Sequence, residues 1–91
     1  FGINILSNDQ KEIADYYAAP SKFKNTSNIN WSINLNSDIY FISNSLVNMG
    51  CKVINSFEEA DHTLFIGLVL NVEIKNKKPL VWFNRFYSDL V

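Results

Sequence analysis

The run HTLFIGLVLNVEI, residues 62 to 74, constrains the fold more than any other stretch of this chain. Leu64, Ile66, Leu68, Leu70, Val72 and Ile74 alternate with Phe65, Gly67, Val69, Asn71 and Glu73, which is the period of a β-strand. One face is apolar throughout and the other in part. Such a strand suits a barrel stave that meets a partner as well as its own core. LVNMGCKVINSF (residues 46 to 57) reads as the preceding strand, with Val47, Met49, Cys51 and Val53 on one face and EEAD (58 to 61) as the connection. Gly67, in mid-strand, marks a bulge or a close approach by another backbone or a ligand.

The flanking segments complete a mainly β, α+β pattern. FGINIL opens the chain as a strand, and Ser7 with Gln10 has the spacing of a capping box, Asp9 suiting the first helical turn. The spacing predicts a helix running to about Ala19, stopped by Pro20, with Ile13, Ala14 and Tyr17 facing inward. Residues 21 to 45 are rich in Ser and Asn and read as a long loop with one short helical turn, pinned by Phe23, Trp31, Ile33 and Leu35. KNKK turns the chain, and PLVWF begins a last strand with proline at its permitted first position. Strand, helix, loop and then three strands describe an antiparallel barrel with an attached helix, not βαβ alternation.

Composition narrows the function classes. The chain has 91 residues, 47% of them hydrophobic, and a formal net charge of −1. That apolar content supports a folded core, but a domain this small buries only roughly 60 to 65% of its unfolded surface, so it is marginal alone. Eight basic against nine acidic residues leave no footprint for nucleic acid, and Lys75, Lys77 and Lys78 read as a solvated turn. The lone Cys51 allows no intrachain disulfide and reads as a small buried hydrophobe in a reducing compartment. No apolar run reaches the ~18 to 20 residues of a membrane span, so a soluble, cytoplasmic protein is expected. FGINIL begins directly in a strand, which suggests a portion of a longer domain.

Spacing alone offers little chemistry. The glycines are scattered, no Cys/His metal spacing occurs, and His62 is the only histidine. Asp61–His62–Thr63 fits a hairpin cap, in which Asp and Thr bond the local backbone and the imidazole sits at the rim. On spacing alone that cap is favoured over a histidine presented for chemistry at the mouth of a strand. Both readings stay open.

Three segments, in order, bear on that choice. FGINILSNDQ, ADHTLFIGLVLNVEI and PLVWFNRFYSDL together resemble signatures of the flavin reductase-like, FMN-binding split-barrel family. That family includes reductase components of two-component flavin monooxygenases, among them the 4-hydroxyphenylacetate 3-monooxygenase reductase. The matching residues are Phe1, Asn4 and Leu6; Asp9 and Gln10; Asp61, His62, Thr63, Gly67 and Val69; and Pro79, Leu80, Phe83, Arg85, Tyr87 and Leu90. Ala60 stands where the family has glycine, and the family's amino-terminal strands have no counterpart here. The resemblance implies that residues 1 to 91 are the carboxyl-terminal part of a single flavin reductase-like domain, an antiparallel split β-barrel lacking its first strands.

The resemblance also implies a chemistry, a hydride passing from NAD(P)H to FMN or FAD. It places His62, Asp61 and Tyr87 at the nicotinamide nucleotide, and Arg85 and Asn4 at the flavin. No residue is assigned bond-making catalysis and none a metal. A homodimer and a partner monooxygenase are implied as well. Trp31, Trp82 and Phe83 read as core or dimer contacts. The competing readings are a split-barrel flavoprotein that carries or senses electrons without reducing free flavin, and an inactive truncated product.

Overall fold

The computed structural model describes residues 1–20, 31–34 and 38–90, with the backbone alone for 31–34. In chain order the elements are β1 (Gly2–Ile5), α1 (Lys11–Ala18), β2 (Trp31–Asn34), β3 (Ile39–Ile42), β4 (Val47–Glu59), β5 (His62–Ile74), β6 (Leu80–Phe83) and β7 (Phe86–Asp89). All pairings are antiparallel: a β1–β4–β5 sheet and two hairpins, β2–β3 and β6–β7. This is the expected mainly β architecture with one short helix.

The β4–β5 hairpin is longer than expected. Pairing runs from Val47↔Ile74 to Glu59↔His62, so the connection shrinks from four residues to Ala60–Asp61. Two register shifts break the simple alternation. Asn71 pairs with Gly50 but Val69 with Cys51, leaving Leu70 as the extra residue; Val53 pairs with Gly67 but Asn55 with Ile66, leaving Ile54 extra. Each bulge moves later side chains to the opposite face. Val72 and Ile74 therefore share a face with Val69 and not with Leu68, which corrects the single-face assignment for β5. At the first bulge Asn71 Oδ1 accepts the Gly50 N–H at 3.1 Å. Gly67 borders the second bulge, and its close neighbour is a side chain: a Cβ there would lie 2.5 Å from Phe1 Cζ.

Ala60 opens the tight turn at φ 53°. Left-handed backbone favours glycine over alanine by roughly 1 kcal/mol, partly offset by glycine's greater freedom when unfolded. Ala60→Gly is expected to raise unfolding stability by about 0.5 kcal/mol, read from the shift in urea midpoint at constant slope.

Three other expectations change. The Ser/Asn-rich loop holds the β2–β3 hairpin, whose register pairs Trp31 with Ile42 and Asn34 with Ile39; Phe23 and Leu35 lie outside the described residues. PLVWF is not the last strand, because Asn84 and Arg85, at φ 52° and 67°, form a two-residue turn into β7. Left-handed backbone at both positions is what a type I′ hairpin needs. The helix starts at Lys11, not at Ser7, and on it Tyr17 is 44% exposed while Ile13, Ala14 and Tyr16 are half-buried. Pro20 ends it as expected, with Ala19 extended at ψ 151°.

Ser7 and Gln10 do interact, but as a polar knot and not as a helix cap. Gln10 Oε1 accepts the Ser7 N–H at 2.9 Å and Gln10 Nε2 donates to Ser43 O at 2.9 Å. The Ser7 hydroxyl donates to Asp9, and Lys77 Nζ reaches Asn44 O at 3.1 Å and Asp9 Oδ2 at 3.5 Å. Lys77 is thus partnered, not simply solvated. The Ser7 hydroxyl, then Lys77, holds the Asp9 carboxyl below its ordinary range. Asn8 N–H to Lys78 O and Leu80 N–H to Leu6 O, at 2.9 and 3.0 Å, dock the β6–β7 hairpin beside the end of β1. The knot ties together the chain connections that enter α1, β4 and β6.

The core is small. Phe41, Ile42 and Cys51 are the buried apolar residues among those described, with polar Ser7, Gln10, Ser45 and Asn48. Much of β5 stays open on both faces, including Leu64, Phe65, Leu68, Leu70 and Ile74. The accessible surface is 7229 Å². A compact monomer of 10.5 kDa exposes roughly 5,400 Å². The sheet is an open one, and the barrel does not close within the described residues.

Candidate functional site

The hairpin tips carry the candidate groups. At the β4–β5 tip, Asp61 Oδ1 lies 2.6 Å from His62 Nδ1, with side chains 88% and 84% exposed. When the imidazole is neutral, the carboxylate selects the tautomer with hydrogen on Nδ1 and leaves the Nε2 lone pair outward. When it is charged, Nε2 becomes a donor in the same direction. The ring is therefore aimed by its neighbour and open to a ligand. Exposed ion pairs add little stability, so this contact orients the ring without holding the fold.

At the β6–β7 tip, Arg85 is exposed and makes no ion pair with a carboxylate among the described residues. Its left-handed φ of 67° costs a non-glycine residue of order 1 kcal/mol. A guanidinium held there presents a full set of donors for anionic oxygens. Tyr87, two residues on, is half-buried against Trp82, whose ring centroid is 4.8 Å away in an edge-to-face arrangement. Burial, then the charge of Asp15 and its hydrogen bond, pushes the Tyr87 hydroxyl up from its ordinary value.

Asn4 has structural work. Its Oδ1 accepts the Ile42 N–H at 3.0 Å, joining β1 to β3. Among the described residues its amide nitrogen has no hydrogen-bond partner.

The structure thus joins Asp61 to His62 and places Arg85 close to Tyr87 along one hairpin. It forms no hydrogen bond, ion pair or ring contact between these two groups among the described residues. Lys11 and Asp15, which reach Tyr87 from α1, were not anticipated. The only sequence signal for them was their i, i+4 spacing, which puts both on one helical face.

Comparison with known proteins decides the family. The flavin reductase like domain matches residues 1–90. This chain belongs to that family.

An NADH-dependent flavin reductase from Rhodococcus sp is 26% identical over 90 residues, an alignment covering 99% of this chain and 49% of the relative. The solved flavin reductase PheA2 superposes with a TM-score of 0.84 at 29% identity, over 99% of this chain and 56% of that one. The styrene monooxygenase flavin reductase from Pseudomonas putida S12 shares the fold, with a TM-score of 0.84 at 22% identity over all of this chain and 57% of the other. The chain spans about half the length of the relatives it matches. Among the described residues no helix is long and apolar enough to cross a membrane.

Proposed function

We infer that this flavin reductase-family chain works as part of an NAD(P)H:flavin oxidoreductase, as the carboxyl-terminal portion of one such domain. The observation that carries the reading is the family match over residues 1–90, with an Asp61-oriented His62 at an open strand mouth. The donor set suits the ligands: a guanidinium without a carboxylate partner among the described residues for an anionic oxygen, an aimed imidazole, and open apolar strand faces for planar rings. When bound, the nucleotides supply the bond chemistry, a hydride moving from nicotinamide C4 to flavin N5.

The protein's share is position and electrostatics. His62 Nε2 holds a polar group of the nicotinamide nucleotide, and Asp61 keeps the imidazole turned toward it. Arg85 meets a phosphate or the electron-rich edge of FMN or FAD, and the free amide nitrogen of Asn4 donates to the flavin. Tyr87 lies beside the nicotinamide or its ribose. Holding two rings at about 3 to 3.5 Å replaces a bimolecular encounter with a positioned one.

Relatives of this fold include a monooxygenase flavin reductase. That likeness supports delivery of reduced flavin to a partner monooxygenase, the free, buried Cys51 fits a cytoplasmic setting, and the open β5 face supports homodimerisation. NADH oxidation that depends on added free FMN or FAD tests the assignment. Tight flavin that survives dialysis and is not bleached by NADH under argon would instead make the protein an electron carrier or sensor.

A further inference from the structure

Trp82 and Tyr87 are register partners across the β6–β7 hairpin, with rings 4.8 Å apart and inclined by 67°. The indole is nevertheless 62% exposed, so the pair does not bury it as a core contact. What distinguishes this pair is bracing. Lys11 Nζ stands 5.7 Å from the Tyr87 ring centroid, and burial together with the nearby Asp15 charge pushes the Tyr87 hydroxyl up from its ordinary value. Tyr87 is held at its ring by the Lys11 ammonium and at its contact with the indole. Phe83 and Phe86, 73% and 71% exposed on the same hairpin, have no ring partner among the described residues. An aromatic already fixed in place loses little entropy on binding, so Trp82 is the better prepared surface.

Beside the pair runs a cleft lined by Asn8, Lys11, Leu80, Tyr87, Ser88 and Asp89. It brings together the Lys11 ammonium and the Ser88 hydroxyl as donors, the apolar Leu80 side chain, and an Asn8–Asp89 pair in which Asn8 Nδ2 donates to Asp89 Oδ1 at 3.4 Å. A flat apolar surface next to a few convergent polar groups suits a ring bearing a polyhydroxylated chain.

We propose that Trp82, braced by Tyr87 and through it by Lys11, is the stacking surface for a planar, electron-poor heteroaromatic ring. The sugar-like chain attached to the ring enters the adjoining cleft. Nicotinamide and isoalloxazine share this chemistry, and limiting the choice to these two rests on the flavin reductase reading. Lys11 lines the cleft and stands over the Tyr87 ring, so it acts on the ligand directly and through Tyr87.

The test reads binding and not turnover. The sequence has two tryptophans, so Trp31→Phe leaves Trp82 as the only indole. In that background the fluorescence is titrated with FMN and, separately, with NAD⁺; saturable quenching by either supports the proposal and names the ring. Equilibrium dialysis of the same ligand then compares variants. Stacking on one aromatic contributes about 1 to 3 kcal/mol, so Trp82→Leu is expected to weaken Kd about tenfold, while Trp82→Phe keeps most of the affinity. Lys11→Ala is expected to weaken Kd about threefold, with Lys11→Arg binding as wild type. No quenching by either ligand, or an unchanged Kd in Trp82→Leu, overturns the proposal. Retained binding without NADH oxidation would sink the reductase reading and leave the stacking site standing. Normal flavin-dependent turnover with an unchanged Kd in Trp82→Leu would do the reverse.

Discussion

Gln10→Ala is expected to destabilise the fold by about 2 to 4 kcal/mol, the largest loss from truncating any one polar side chain here. Gln10 is 6% exposed, and its amide serves two backbone groups at once, the Ser7 N–H and the Ser43 carbonyl. Truncation leaves both without their partner, and an unmet buried donor or acceptor costs about 1 to 3 kcal/mol. Such a loss is a large fraction of the stability of a small domain. The knot around Gln10 also docks the β6–β7 hairpin, so loss of the amide loosens the segment that carries Arg85 and Tyr87. Urea unfolding measures the change. Lys77→Ala, which removes the bonds to Asp9 Oδ2 at 3.5 Å and Asn44 O at 3.1 Å at the exposed rim of the knot, serves as the mild comparison at about 1 kcal/mol. A Gln10→Ala loss no larger than that of Lys77→Ala would show that the knot does not hold the fold.

His62→Ala is expected to act on function and leave stability alone. Its side chain is 84% exposed, and its one described partner is the equally open Asp61. The lost interaction is a hydrogen bond to the nicotinamide nucleotide, charge-assisted when the ring is protonated, worth about 1.5 to 3 kcal/mol. KM for NADH should rise about tenfold or more, with kcat changed much less, because binding is lost equally before and at the transition state. Asp61→Asn should produce a smaller rise, since the ring survives and only its aim is relaxed. Steady-state kinetics at saturating flavin separates these outcomes, and an unchanged KM in His62→Ala would remove it from the site.

The long hairpin of β4 and β5 was legible because thirteen alternating residues leave little choice of structure. Pro20 as a helix stop was equally plain. The bulges were not, because Leu70 and Ile54 look like ordinary strand residues and are displaced only by pairing with a partner strand. β2, WSIN, was hidden by its Ser and Asn content, and β3, IYFI, by being four residues long inside a Ser- and Asn-rich stretch. β7 was hidden by the Asn84–Arg85 turn, where arginine stands in for the glycine that usually signals a hairpin.

The site divides the same way. Asp61 and His62 are chain neighbours, so their contact could be anticipated from adjacency. The support of Tyr87 by Lys11 and Asp15 joins opposite ends of the chain, and no local pattern encodes it. The Ser7–Gln10 spacing carried a true signal with the wrong physical form, a knot between loops in place of a helix cap.

The most direct measurement is anaerobic bleaching of flavin absorbance by NADH, with catalytic protein and many equivalents of free FMN or FAD. The flavin reductase account predicts bleaching of flavin far beyond one equivalent per chain, slowed in His62→Ala at low NADH. Bleaching that stops at one equivalent, or does not begin, would contradict it.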